Sequence, residues 1–201
     1  MAELILLRHG QSQWNLENRF TGWVDVPLSP KGELEAAVAG EKLRGRRIDV
    51  LFTSVLQRAI ETARIALDKA GMPAPPTVRA TEINERMYGD LQGLDKAEAA
   101  TQFGDAQIKI WRRSYDTPPP NGESLADTAA RVIPYWERTI RPELLAGRNV
   151  LIAAHGNSLR ALVMHLDGLT REQVLELEIP TGAPILYELD ANAGVVAKRY
   201  L

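Results

Sequence analysis

Leu4-Ile5-Leu6-Leu7-Arg8-His9-Gly10 is the stretch from which the fold can be read. Consecutive apolar residues that stop at a charge describe a short strand covered on both faces; a strand with one wet face would alternate instead. Asn149-Val150-Leu151-Ile152-Ala153-Ala154-His155-Gly156 has the same form, and so does Asp49-Val50-Leu51-Phe52-Thr53. Strands of this kind need helices on both sides, and the segments between them supply helical patterns. Ser29-Pro30 reads as an N-cap and first helical residue, opening a helix to about Arg44 with Gly45 behind it. Val55, Ala59, Ala63, Ala66 and Ala70 recur at helical spacing, closed by Gly71-Met72-Pro73. A third helix is expected from about Ser124 to Leu145, with Val132, Ile133, Trp136 and Ile140 on one face and a kink at Pro134. Strand and helix alternate, which predicts an α/β fold: a mostly parallel central sheet with helices on both faces.

The rest of the sequence bounds this reading. With 201 residues, 45% of them hydrophobic, the chain can build one domain spanning residues 1–201. Residues 89–123 are more polar and form a mainly helical insertion, helical over Gly89–Tyr115 and a loop around Pro118-Pro119-Pro120-Asn121-Gly122. Basic and acidic residues nearly balance, 24 against 26, so no whole-protein charge draws the chain to nucleic acid or to an anionic membrane. Anion binding must come from a local cluster. Cysteine is absent, which excludes disulfides and thiolate metal sites. The first apolar run is short and flanked by Glu3 and Arg8, so it is neither a signal peptide nor a membrane span, and a cytoplasmic protein is the plain reading.

The chemistry is expected at His9 and His155. Each follows a buried strand and precedes a glycine, and ligands of open α/β sheets bind beyond the carboxyl ends of strands. If the two strands are neighbours, both histidines face one crevice. The remaining histidine, His165, sits in an amphipathic helical stretch and reads as structural. Arg8 adjoins His9, and Arg58 follows a strand end in the first turn of a helix; guanidinium and free amides there suit a phosphate dianion. This set fits phosphoryl transfer without a metal. Arginines and a protonatable histidine would supply the charge that Mg²⁺ supplies elsewhere, and a neutral histidine would be the nucleophile. Either histidine could fill either role. A general acid is still required, with Glu82 and Glu85 the candidates. A zinc site is disfavoured, because neither histidine lies in a metal-spaced motif. Trp14, Trp23, Trp111 and Trp136 read as buried anchors.

Leu7-Arg8-His9-Gly10-Gln11-Ser12, with Trp14-Asn15, resembles the histidine phosphatase superfamily. Further segments resemble the 2,3-bisphosphoglycerate-dependent phosphoglycerate mutases within it. These are Asn18-Arg19-Phe20-Thr21-Gly22-Trp23, Asp25-Val26-Pro27-Leu28-Ser29, Thr53-Ser54-Val55-Leu56 with Arg58, and Glu85-Arg86 with Tyr88-Gly89. Leu91-Gln92-Gly93-Leu94, Trp111-Arg112-Arg113, the segment from Ala153 to Ala161, and Ile179-Pro180-Thr181-Gly182 continue the match in order along nearly the whole chain. The resemblance implies a short-form enzyme that interconverts 2- and 3-phosphoglycerate, primed by 2,3-bisphosphoglycerate and using no metal. It makes His9 the nucleophile and Glu85 the proton donor and acceptor. Arg8, Arg58 and His155 would hold the transferring group, with Asn15 and Gly156 assisting. Thr21, Gly22, Tyr88, Lys96, Arg112, Arg113 and Asn157 would hold the substrate carboxylate and resting phosphate.

The chain departs from that family in two places. Met87 stands where these mutases commonly have histidine. Longer members carry a segment between the positions of Pro120 and Asn121 and a C-terminal tail over the site; here the sequence ends at Leu201. Some hydrolysis of 2,3-bisphosphoglycerate is therefore expected beside isomerisation, and a homo-oligomer is compatible with the resemblance. The rival functions are a phosphomonoesterase for small phosphorylated metabolites and an inert phosphate-binding module. Lys96, Arg112 and Arg113 argue against the first, and the intact set of His9, Glu85 and His155 against the second.

Overall fold

In the computed structural model, which describes Met1–Leu201 throughout, the first apolar run is strand β1 (Ala2–Arg8). Leu4 and Leu6 point into one core with Phe52 and Ile152, whereas Ile5 and Leu7 point into another with Leu51 and Leu151. Alternation into two separate cores is why a continuous apolar run is needed here.

The other strands are β2 (Val50–Thr53), β3 (Thr77–Arg79), β4 (Val150–Ala154), β5 (Ile185–Leu189) and β6 (Val195–Tyr200). Their order is β3-β2-β4-β1-β5-β6. The first four run parallel, while β5 is antiparallel to β1, and β6 to β5. The sheet is thus mostly parallel, as expected, with an antiparallel edge. β1 and β4 are neighbours paired from Leu4↔Val150 to Arg8↔Ala154. The residues that follow them, His9 and His155, therefore leave adjacent strands at the same level.

Helices α1 (Gln13–Leu16), α2 (Pro30–Leu43) and α3 (Gln57–Ala70) precede the insertion. Ser29 caps α2 by accepting the Gly32 N–H, with Pro30 first in the helix. α3 begins two residues later than predicted, leaving Val55 exposed, and stops at Gly71 in the left-handed conformation. Ala39, Leu43, Ala63, Ala66 and Leu67 from these two helices cover one face of the sheet.

α6 (Leu125–Tyr135) and α8 (Gly156–Asp167) cover the other face through Leu125, Ala129, Val132, Leu159 and Leu162. The expected single kinked helix is instead three pieces: α6, a wide turn over Trp136–Ile140, and α7 (Arg141–Leu145). In the wide turn the Arg141 N–H reaches back to Trp136 O. Pro134 and Pro142 bracket that turn, and neither has an N–H to continue the regular ladder. A short α9 (Arg171–Glu176) leads towards β5.

The insertion carries α4 (Lys96–Phe103) and α5 (Asp105–Arg113), joined at Gly104 with φ 88°. It packs on a small cluster of its own, Phe20, Leu91, Ala99 and Ile108, apart from both sheet cores. Of the tryptophans only Trp136 is fully buried; Trp14 on α1, Trp23 in a loop and Trp111 on α5 are half-buried, which corrects the expectation of four buried anchors.

Candidate active site

The carboxyl end of the sheet presents a cleft of about 340 Å³. At its base the His9 and His155 rings lie 5.0 Å apart, centre to centre. The loop after β1 is fixed by close approach: the His9 N–H donates to Ala154 O at 3.0 Å, and a Cβ on Gly10 would stand 2.1 Å from Gly32 O. His9 Nδ1 lies 2.6 Å from the Gly10 carbonyl oxygen. A carbonyl can only accept, so Nδ1 carries the proton and Nε2 keeps its lone pair. That tautomer makes Nε2 the nucleophilic atom. His155 pairs through Nε2 with Ser54 Oγ at 2.7 Å, and its Nδ1 is buried without a protein partner.

Burial is the main reason both histidines sit well below their ordinary pKa. Next comes the charge of Arg58, with Arg8 acting the same way on both and the Gly10 bond opposing on His9. Both are therefore neutral in the resting protein. Neutrality suits His9 as the nucleophile and leaves His155 able to take up a proton.

Arg58 is fully buried and held by two carbonyls, Gly22 O at 2.7 Å and Val24 O at 3.0 Å. Burial lowers its pKa to about 10, leaving it charged at neutral pH. Arg8 donates one N–H to Ile179 O at 2.8 Å, while its Nε has no partner. Thr21 Oγ1 is likewise buried and unpartnered. Buried polar groups are almost always satisfied. Orphaned donors on Arg8 and Thr21, with the unpartnered Nδ1 of His155 beneath them, therefore fit an anion with several acceptor oxygens.

Glu85 is positioned by its own carboxylate. Oε1 accepts the Arg86 N–H at 2.8 Å and the Asn157 N–H at 3.1 Å, the latter from the first turn of α8. Oε2 makes no hydrogen bond to the protein. A proton on this group must sit on Oε2, since Oε1 faces two donors. Glu82 is excluded as the acid: it pairs with Arg138 at 3.2 Å, outside the cleft. His165 pairs with Glu137 at 3.0 Å on the surface, consistent with its structural reading.

A profile of the histidine phosphatase superfamily (branch 1) matches residues 4–200. The chain belongs to this superfamily. It is 53% identical over 228 aligned positions to a 2,3-bisphosphoglycerate-dependent phosphoglycerate mutase of Nitratidesulfovibrio vulgaris, covering 100% of this chain and 92% of that one. It is 54% identical over 200 positions to a phosphoglycerate mutase of Schizosaccharomyces pombe, covering 98% and 95%. Among solved structures, a mycobacterial glucosyl-3-phosphoglycerate phosphatase with VO3 superposes with a TM-score of 0.81 at 28% identity, covering 100% and 97%.

In this superfamily member the insertion contributes to the lining of the cleft. Lys96 enters from the first turn of α4, Arg112 and Arg113 from the last turn of α5. Burial, then the charges of Arg112 and Arg8, lowers the Lys96 pKa. Tyr88 faces them and accepts from Asn157 Nδ2 at 3.3 Å. Asn15 Oδ1 accepts the Ser12 N–H at 3.0 Å, which leaves the Asn15 amide nitrogen unengaged beside the histidines. Arg8, Asn15, Thr21, Gly22, Arg58, Glu85, Gly156 and the insertion residues all line one cleft, so the expected set is brought together. His155 alone stands behind the lining, in contact with His9.

Three charged lining residues were not foreseen: Arg19, Arg160 and Glu178. Arg160 donates Nε–H to Leu177 O at 2.7 Å. It could have been found, because Gly156, Asn157 and Arg160 share one helical face. Nothing local marks Glu178. In all, seven cationic side chains face two carboxylates in a chain whose net charge is −2. Arg8, Arg58, Lys96, Arg112, Arg113 and Arg160 have no salt-bridge partner in the protein. Met87 lies outside the lining, so the departure at that position does not touch the cleft.

Proposed function

We propose that this chain interconverts 2-phosphoglycerate and 3-phosphoglycerate through phosphorylated His9. The observation that carries the reading is that two cationic sets line one cleft: Arg8 and Arg58 at the histidines, Lys96, Arg112 and Arg113 on the insertion. A phosphomonoesterase needs only the first. The second gives a resting phosphate or carboxylate its own place, and the mutase relatives at 53–54% identity agree with it.

2,3-Bisphosphoglycerate supplies the first phosphoryl group, and two sets of cations without salt-bridge partners suit its two phosphates. His9 Nε2 attacks phosphorus in line, forming the P–N bond as the P–O bond breaks. Glu85 Oε2 gives its proton to the departing oxygen and later takes one from the accepting hydroxyl. Arg8 and Arg58 neutralise charge on the equatorial oxygens, with Asn15 and the Gly156 amide assisting. Bound phosphoryl oxygens also favour a proton on His155, which then joins the arginines as a donor. Thr21, Gly22, Tyr88 and Asn157, with the insertion cations, hold the part of the substrate that stays still. No divalent ion is needed in this scheme. The reading places residues 1–201 in one domain, in the cytoplasm, with 89–123 as the recognition insertion.

The structural likeness to a phosphatase keeps hydrolysis as the second reading. Both activities are measured on one preparation: 3-phosphoglycerate isomerisation primed with 2,3-bisphosphoglycerate, and inorganic phosphate release. Isomerisation should exceed phosphate release at saturating substrate. The reverse overturns the proposal in favour of the phosphatase.

A further inference from the structure

Arg131, on α6, lies outside the cleft lining but spends its whole guanidinium on the segment that carries Glu85 and on Glu123. NH1 donates to Glu82 O at 2.7 Å and Asn84 O at 3.0 Å, and NH2 to Glu85 O at 2.8 Å. The remaining donors form a fork on Glu123, Nε to Oε1 at 2.8 Å and NH2 to Oε2 at 2.9 Å. All five N–H groups of the side chain are thereby used.

Glu123 extends the grip past Glu85. Its Oε2 also accepts the Met87 N–H at 3.0 Å, and its backbone N–H donates to Met87 O at 2.7 Å. Carbonyls at 82, 84 and 85 are thus held from one side and the amide at 87 from the other. Trp23 adds a second donor to the Glu85 carbonyl, Nε1 at 2.6 Å, with the Arg131 guanidinium 5.5 Å above its ring. The pair is partly buried, its side chains 18% and 20% exposed, so solvent screens it less than a surface pair. Together with the two amides on Oε1, this fixes the Glu85 carbonyl and one carboxylate oxygen and leaves Oε2 without a hydrogen bond to the protein.

We propose that Arg131 and Glu123 are positioning residues that hold Glu85 Oε2 where the leaving oxygen takes its proton. The inference rests on the mutase reading only in naming Glu85 as the acid. A loss of placement near 1 Å is worth about 10²-fold in rate. Lysine at 131 keeps the charge but cannot hold three carbonyls and a carboxylate at once.

The test separates proton delivery from fold by the choice of phosphoryl donor. His9 phosphorylation from 2,3-bisphosphoglycerate needs a proton on the departing oxygen; phosphorylation from 2,4-dinitrophenyl phosphate does not, because that leaving group is stable as an anion. Arg131→Lys should slow the first by roughly 10–100-fold with little change in KM, and the second by less than about 2-fold. In a Glu85→Gln background Arg131→Lys should add no further loss, since both act through one group. Equal slowing with both donors, or a multiplicative loss in the Glu85→Gln background, overturns the proposal. Glu123→Gln, measured the same way, serves if Arg131→Lys does not fold. A wild type that labels His9 but does not isomerise would instead refute the mutase reading and leave the clamp standing.

Discussion

Gly10→Ala should disable His9 without touching it. A Cβ at this position would stand 2.1 Å from Gly32 O, 2.7 Å from Gly32 C and 2.8 Å from Gly32 Cα. All three are backbone atoms at the start of α2, held by the Ser29 cap and the Gly32 N–H, so no rotamer can relieve the clash. Opening the closest contact to about 3.0 Å moves the loop after β1 by about 0.9 Å. That displacement falls on His9 Nε2, since Nδ1 is tied to the Gly10 carbonyl at 2.6 Å. The expected cost is about 1–3 kcal/mol of stability from overpacking and about 10²-fold in the rate of phosphoryl transfer. Gly71→Ala is the control. It faces no atom within 4 Å but has φ 71°, so it should lose about 1 kcal/mol of stability and keep its rate. The measurements are thermal melts and single-turnover labelling of His9. Labelling of Gly10→Ala within 3-fold of wild type would refute the argument that this glycine sets the nucleophile's position.

The lowered pKa of His9 and His155 gives stability a defined pH slope. Between the unfolded value near 6.5 and the depressed folded values, the unfolded chain binds protons that the folded chain refuses, so stability falls as pH falls below about 6.5. The slope is at most about 1.4 kcal/mol per pH unit for each histidine, and urea melts of wild type and His9→Asn between pH 7 and 5.5 should differ by that share; identical slopes would contradict it. Glu85→Gln should retain phosphate affinity and lose about 10²–10⁴-fold in turnover, and near-normal turnover would place the proton donor elsewhere. EDTA should leave isomerisation unchanged because Arg8 and Arg58 carry the charge; a loss restored by one divalent ion would return the question to a metal.

Much of this was legible because it is local. Leu4–Leu7 and Val150–Ala154 announce strands buried on both faces, and the histidine–glycine steps that end them become one crevice once β1 and β4 pair. The remainder depends on distant atoms. The direction of the antiparallel β5 and β6 was not readable, because it is set by pairing with β1 rather than by any local residue pattern. Arg131 gave no sign because its partners at 82, 84 and 85 are carbonyls, which every residue has. The neutrality of His9 and His155 follows from burial and from Arg58, which arrives from another strand end. The tryptophans misled for the opposite reason: apolar area suggested core, while Trp23 uses its N–H to hold the Glu85 carbonyl at the edge of the site.

The small separate cluster under the insertion, Phe20, Leu91, Ala99 and Ile108, has a consequence for how such an enzyme changes over evolutionary time. The reactive floor is bolted to the sheet through β1, β4 and their two cores, whereas the roof proposed to hold the resting end of the substrate rests on a separate minor foundation shared with Phe20. Mutations that reshape α4 and α5 spend the stability of that minor foundation and leave the alignment of His9, Arg58 and His155 alone. One machine for breaking a phosphate ester can therefore be fitted with many roofs. In the proposed scheme α4 and α5 can change with the substrate, while the floor, where Thr21, Gly22 and Asn157 also line the cleft, keeps the chemistry.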